Sequence, residues 1–182
     1  MLRSALVLSA LMLATPAAAV PWKHPTAGFS VDLPKGWEED PASRRPNTAF
    51  VTRGPVSNTQ IGCTIASTPL GGPPASPATW AMPEAVLADP AKYMGGSGDR
   101  IATLLGKRKF AGADGYPGWQ LWADVLKPGA DQPSFKLIAH VLSAPSTQLT
   151  VVCFTPARVR PSLPPAAIDE ALAMSRTLRA AR

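Results

Sequence analysis

The chain has 182 residues, of which 46% are hydrophobic and 16% are charged, and its formal net charge at pH 7 is +6. The basic excess is modest, and its only run of three is Lys107-Arg108-Lys109. This argues against a nucleic-acid binder, because such proteins carry denser basic stripes interleaved with exposed aromatic residues. No internal repeat and no low-complexity block is visible, and the length predicts a single domain.

The N-terminus has the features of a cleaved secretory signal peptide. Arg3 precedes an apolar run from Ala5 to Ala14, and small residues then lead to an A-x-A site that ends at Ala19. An apolar run of ~10 residues is about half of what a bilayer-spanning helix needs, so we expect no stable membrane anchor. A buried N-terminal helix is the alternative. We predict a signal peptide over residues 1–19 and a soluble mature domain, periplasmic or secreted, over residues 20–182.

Alternating apolar and polar residues between turn residues predict the strands. These strands cover residues 28–34, 49–53, 60–68, 117–127, 134–143 and 147–155. The first is expected at a sheet edge, because Pro34 ends it. Residues 101–105 fit either a strand or a helix.

Two helices are predicted, one in the middle of the chain and one at its end. Ser76-Pro77 is a typical helix start, although Pro83 limits that helix. Pro164-Pro165 introduces the second helix, which runs to about residue 180. Its apolar stripe consists of Ile168, Ala171, Leu172, Ser175 and Leu178.

The strand over 117–127 carries apolar residues on both faces, which indicates a central strand that is covered on both sides. Together with the helices, this predicts an α+β fold of one domain, in which an antiparallel sheet carries helices on both faces.

The two cysteines, Cys63 and Cys153, lie inside strand-like runs. An even number of cysteines in an exported chain favours a structural disulfide, here across 90 residues of sequence. A redox-active pair is the alternative, but such pairs usually lie close together at a helix N-terminus.

No catalytic, cofactor or metal motif rises above background. The two histidines, His24 and His140, have no neighbouring ligands of the kind that a zinc site needs. Gly106-Lys107 lacks the other residues of a phosphate-binding loop, and the acidic group Glu38-Glu39-Asp40 is too small for a calcium site. An envelope hydrolase or a thiol enzyme that uses His140 and Cys63 remains the alternative to a non-catalytic protein, and it requires Cys63 to be free.

A group of aromatic and basic residues is a possible partner surface. It consists of Trp37, Tyr116, Trp119, Lys107, Arg108 and Lys109. Exposed aromatic residues would form such a surface. If they are buried, they are core residues, which the strand pattern already accounts for at Trp119.

The segment Gly28–Trp37, with sequence GFSVDLPKGW, resembles the opening strand and turn of the PsbP-like family, whose fold is shared with DcrB-type envelope proteins. The matching residues are Phe29, Pro34 and Trp37. The resemblance implies an α/β/α sandwich and a non-enzymatic accessory role without a cofactor, in which the protein binds or stabilises a larger assembly. It transfers no functional residue, and the cysteine pair departs from the family. The expectation is an accessory binding module of the bacterial cell envelope whose partner is an unknown envelope protein or assembly.

Overall fold

The computed structural model describes residues 19–54, 61–69, 100–132, 134–143, 147–155 and 165–180, with the backbone alone at residues 100, 134–143 and 165. Within these residues the chain forms ten strands and one α-helix. The strands are β1 Val20–Lys23, β2 Phe29–Leu33, β3 Trp37–Glu39, β4 Thr48–Arg53, β5 Ile61–Pro69, β6 Arg100–Ala111, β7 Pro117–Leu126, β8 Ser134–Ser143, β9 Thr147–Phe154 and β10 Arg179–Ala180, and the helix is α1 Pro165–Arg176.

The strands form two antiparallel sheets. The large sheet has seven strands in the order β3-β4-β5-β9-β8-β7-β6, and the small sheet has three in the order β1-β2-β10. In the large sheet, β5 pairs with β9 although 77 residues separate the end of one from the start of the other. Sequence neighbours pair elsewhere in the large sheet, so this contact brings the two halves of the chain together.

Strand register assigns the side chains of the large sheet to two faces, because successive residues of a strand point to opposite sides. One face carries Cys63, Cys153 and Trp122 in adjacent register positions. We call it the helix face, because α1 packs there through Leu172 and Ser175 against Gln120. The opposite face carries Trp119 and its neighbours at every second position of β7, and we call it the distal face.

The main core lies between the helix face, α1 and the small sheet. It contains Phe29, Val31 and Leu33 from β2, and Ile61, Cys63 and Ile65 from β5, all at most 5% exposed. From α1 it receives Ala167, Ala171, Leu172 and Met174. Burying each large apolar side chain contributes about 1.5–3 kcal/mol, so this three-part contact stabilises the packing of the two sheets.

At the end of α1, the hydroxyl group of Thr177 bonds to backbone groups of the helix and of β2. Thr177 Oγ1 donates to the Met174 carbonyl at 2.8 Å and accepts from the Asp32 backbone N–H at 2.9 Å. Leu178 is fully buried, and the chain then adds β10 to the small sheet. The end of α1 is therefore attached to β2 rather than frayed.

The segment Gly28–Trp37 forms β2 and a tight turn. Gly36 has a φ of 84°, a conformation that residues with a Cβ rarely adopt. The Trp37 N–H closes the turn on the Pro34 carbonyl at 3.0 Å. This geometry explains why the motif has a glycine at position 36, and it places the Trp37 side chain in the core.

The predicted strands over residues 28–34, 49–53, 60–68, 117–127, 134–143 and 147–155 are confirmed within a residue or two at each end. The C-terminal helix is confirmed from Pro165 but ends at Arg176. One placement is wrong, because β2 is the middle strand of the small sheet rather than an edge. The prediction that the strand over 117–127 is an interior strand is confirmed, since β7 pairs with both β6 and β8. Residues 101–105 belong to β6, a strand of 12 residues.

The predicted fold class, a sheet with helices on both faces, is wrong for the part of the chain that the structure describes. That part is mostly antiparallel strand, and its one α-helix lies on the helix face. Burial on both faces of β7 was interpreted as a sign of helices on both sides, but burial alone does not identify what covers a strand. The signal peptide and the helix predicted after Ser76 lie outside the described residues.

No helix among the described residues is long and apolar enough to cross a membrane.

Candidate functional site

Cys63 and Cys153 are joined in a disulfide. They are directly opposite each other in the β5–β9 register, and both side chains are fully buried in the main core. The bond therefore links the same two strands whose pairing brings the halves of the chain together.

The thiol-enzyme alternative fails on this geometry. Cys63 carries no free thiol, and its register position is on the helix face. His140 lies opposite Trp119 and Thr150, at a register position on the distal face. The two residues on which that alternative depends are thus on opposite sides of one sheet. Among the described residues no three His, Cys, Asp or Glu side chains are grouped so that they could hold a metal ion.

The three aromatic residues of the predicted partner surface are buried rather than exposed. Trp37 is 6% exposed, Tyr116 4% and Trp119 8%. Trp37 also donates its Nε1–H to Glu170 of α1 at 3.0 Å, which fixes the motif residue to the helix. These aromatic residues belong to the core, and they do not form an exposed binding surface.

The basic residues of that predicted surface are exposed on β6. Lys107, Arg108 and Lys109 lie on the last strand of the large sheet, which has β7 on one side and no described strand on the other. Lys107 and Lys109 have register positions on the distal face, and Arg108 is on the helix face. Within the described residues none of the three forms a salt bridge.

Each face of β6 places a cation over a tryptophan of β7. The Lys109 ammonium lies 4.6 Å from the centroid of the Trp119 ring on the distal face. The Arg108 guanidinium lies 5.8 Å from the centroid of the Trp122 ring on the helix face. Cation–π contacts at such distances contribute about 0.5–1 kcal/mol at exposed sites. The tryptophans thus restrict two otherwise mobile cationic side chains.

Gly106 makes the contact on the helix face possible. A Cβ added at Gly106 would lie 2.2 Å from the Trp122 ring, which is not a sterically allowed distance. The Trp122 ring therefore covers the β6 backbone at the residue before Lys107, with Arg108 beside it.

Behind Arg108 lies a polar cluster that was not predicted from the sequence. Gln120 is fully buried, and its Nε2 donates to Leu172 O and to Ser175 Oγ at the end of α1. Its Oε1 faces outward and accepts from Arg108 Nε at 2.6 Å and from Arg176 Nη2 at 3.4 Å. One neutral oxygen therefore receives hydrogen bonds from two guanidinium groups.

The electrostatics of this cluster are unbalanced. Burial lowers the pKa of Arg176 from its ordinary value, and the positive charge of Arg108 lowers it further. Arg176 Nε is itself buried and has no hydrogen-bond acceptor in the described part of the molecule. Arg108, Gln120 and Arg176 were not predicted as a group, because 56 residues separate Gln120 from Arg176. A glutamine at an inward position of an otherwise apolar strand is the one signal the sequence offered.

Two polar groups that the sequence analysis considered and rejected as metal ligands serve the fold. His24 is 1% exposed, and its Nδ1 accepts from the backbone N–H groups of Thr26 and Ala27. Its Nε2 lies 3.1 Å from the carbonyl oxygen of Arg45, before β4, and 3.2 Å from that of Thr48, the first residue of β4. The Glu39 carboxylate accepts hydrogen bonds from Arg44 Nε at 2.6 Å and from Trp22 Nε1 at 3.2 Å. Both groups attach the small sheet to the β3–β4 region.

No protein-family model matches the chain, and no curated protein matches it in sequence. Its structure is similar to the solution structure of cyanobacterial PsbP (CyanoP) from Synechocystis sp. PCC 6803, with a TM-score of 0.51, 11% identity, and coverage of 95% of this chain and 98% of that one. It is also similar to the crystal structure of LpqN, described as involved in cell envelope biogenesis of Mycobacterium tuberculosis, with a TM-score of 0.50, 16% identity, and coverage of 89% and 90%. The resemblance seen in Gly28–Trp37 thus extends over 95% of the chain, and the structure has the PsbP-like fold.

Proposed function

We propose that this protein is a non-catalytic binding module of the bacterial cell envelope, exported after cleavage near Ala19, which holds an acidic partner protein against strand β6. The observation that carries the proposal is the outer edge of β6, which pairs with no described strand and carries three exposed cations without an acidic partner among the described residues. Surface cations without counter-charges attract acidic partners and speed their association.

The shape of β6 supports the same role. The strand departs from regular pairing at two places, between Ile101 and Thr103 and between Leu104 and Gly106. Bulges and lysines are the usual means by which an edge strand avoids pairing with another copy of itself. Beside the second irregularity, Leu104 and Leu105 are 43% and 49% exposed. A partner that covers these leucines and approaches the cations would gain both apolar burial and ion pairs.

Three further points support export to the envelope. The buried disulfide is of the kind that persists in oxidising compartments and is rare in the cytosol. The sequence before Val20 has the pattern of a signal peptide. LpqN, which shares the fold, is described as involved in cell envelope biogenesis.

The experiment is a charge reversal on β6 with a matched control. The Lys107→Glu/Lys109→Glu variant and the Lys35→Glu/Lys127→Glu variant change net charge equally, and all four lysines are exposed. Each tagged protein is expressed in the native host, cross-linked in the envelope fraction and recovered. We expect wild type and control to retain the same acidic partner and the β6 variant to lose it at least tenfold. Equal recovery by both variants, or no partner on wild type, would contradict the proposal.

A further inference from the structure

A second surface feature lies on the helix face, away from Lys107 and Lys109. It consists of Arg108, Arg176 and Gln120, with the Trp122 ring beside them. Gln120 is fully buried and held by two hydrogen bonds to the end of α1, so its outward oxygen is a fixed point. Both guanidinium groups converge on that oxygen.

A neutral amide oxygen does not balance two positive charges. Opposite charge within about 4–6 Å is what normally stabilises a guanidinium in a partly buried position. No carboxylate within the described ranges forms a salt bridge with Arg108 or Arg176. Arg176 lies in the last turn of α1, where the helix dipole favours a cation. That effect accounts for the charge of Arg176, while the exposed Arg108 has the Trp122 ring and the amide oxygen beside it but no carboxylate among the described residues.

The donors that remain have the character of an oxyanion site. Arg176 Nε is buried with no acceptor among the described residues, and a buried donor without an acceptor is unfavourable. Gln120 Oε1 occupies one donor of Arg108 and one of Arg176, and each guanidinium has five N–H donors. Guanidinium groups bind phosphate oxygens through paired hydrogen bonds.

We infer that Arg108 and Arg176, positioned by Gln120, form a binding site for a phosphate group with two negative charges. A dianion matches the two guanidinium charges, whereas a carboxylate would leave one of them unbalanced. Such a phosphate is either free inorganic phosphate or a phosphate monoester on a larger molecule. In the second case the organic part would contact the Trp122 ring, which is half-buried beside Arg108. This inference shares Arg108 with the proposed function, but it concerns the helix face of β6, and its test leaves Lys107 and Lys109 unchanged.

The test is a calorimetric titration of the full chain with inorganic phosphate at constant ionic strength, with chloride as the balancing anion. The variants are Arg108→Gln, Arg176→Gln and, as a control with the same loss of charge, Lys127→Gln. We expect wild type and the control to bind phosphate equally, and each arginine variant to bind at least tenfold more weakly. Arg176→Lys should recover part of the lost affinity, since it restores the charge but not the fork of donors.

Two further arms define the ligand and exclude trivial explanations. Glycerol 3-phosphate replaces inorganic phosphate in one arm: tighter binding that Trp122→Leu removes identifies a monoester, and equal binding identifies free phosphate. Circular dichroism checks that each variant is folded, and Arg108→Gln keeps the inference testable if Arg176→Gln does not fold, because Arg108 is exposed. Absence of binding to wild type, or equal binding by wild type and Arg108→Gln, would overturn the inference.

Discussion

At the residue scale, His24 shows how one buried polar side chain can tie several segments together. Its ring accepts two backbone N–H groups at Nδ1 and reaches two carbonyl oxygens at Nε2. We expect His24→Ala to lower the free energy of unfolding by about 1–3 kcal/mol, because the N–H groups of Thr26 and Ala27 lose their acceptor and a buried ring is removed. His24→Asn should cost less, since its amide oxygen can still accept from Thr26 and Ala27. Urea denaturation measures both, and a loss below about 0.5 kcal/mol for His24→Ala would contradict this role.

Gly106 is the residue that lets Trp122 lie against β6. We expect Gly106→Ala to destabilise the protein by about 1–3 kcal/mol, because the added methyl group overlaps the indole ring. Thr103→Ala, at an exposed position of the same strand, is the control and should be close to neutral. Tryptophan fluorescence during denaturation measures the stability of both variants. If Trp122→Leu in the Gly106→Ala background did not recover stability, the steric explanation would be wrong.

Glu39 makes stability depend on pH in the acid range. The hydrogen bond from Arg44 lowers the pKa of Glu39 below its ordinary value, and the bond from Trp22 acts in the same direction. A carboxyl with a lowered folded-state pKa stabilises the fold above its unfolded-state pKa of about 4.3, and this contribution is lost as the pH falls through the folded-state pKa. We expect Glu39→Gln to be less stable than wild type at pH 7 and to show a smaller loss between pH 5 and about 2.5. Parallel curves for the two proteins would contradict this.

At the element scale, the β5–β9 pair is the central connection of the large sheet, and the disulfide fixes it. The bond closes a loop across 90 residues, for which chain entropy predicts about 4–5 kcal/mol, although measured values for such bonds range more widely. We expect Cys63→Ala/Cys153→Ala to lower the free energy of unfolding by about 2–5 kcal/mol. Reduction of wild type should lower its stability by a similar amount. A variant as stable as oxidised wild type would show that strand pairing alone holds the two halves together.

The elements that could be predicted from sequence are those with a regular apolar period. Strands β2, β5 and β9 alternate because one face is buried, and alternation is the most direct signal of a strand. Strand β6 has no such pattern, because most of its residues are exposed. The sequence of residues 101–105 therefore fits a strand and a helix equally well. Strands β1, β3 and β10 are four residues or shorter, too short for periodicity to be read.

At the scale of the whole molecule, the short motif around Phe29, Pro34 and Trp37 predicted the PsbP-like fold correctly. In the structure its turn follows β2 and its tryptophan is buried in the core. The layer arrangement could not be predicted in the same way. Burial on both faces of β7 is visible in the sequence, but the element that covers each face is set by contacts between distant segments. The Arg108–Gln120–Arg176 cluster has the same origin, since it forms only when α1 packs on the helix face.

The central claim, an exported binding module with a disulfide and a partner on β6, is tested most directly by mass spectrometry of the protein from the extracytoplasmic fraction of its own host. The denaturing spectrum should give a chain that begins at Val20 and is two hydrogens lighter than the reduced form. The native spectrum should show an acidic partner on wild type and none on Lys107→Glu/Lys109→Glu. An uncleaved chain with two free thiols, or a partner that the β6 charge reversal does not remove, would contradict the account.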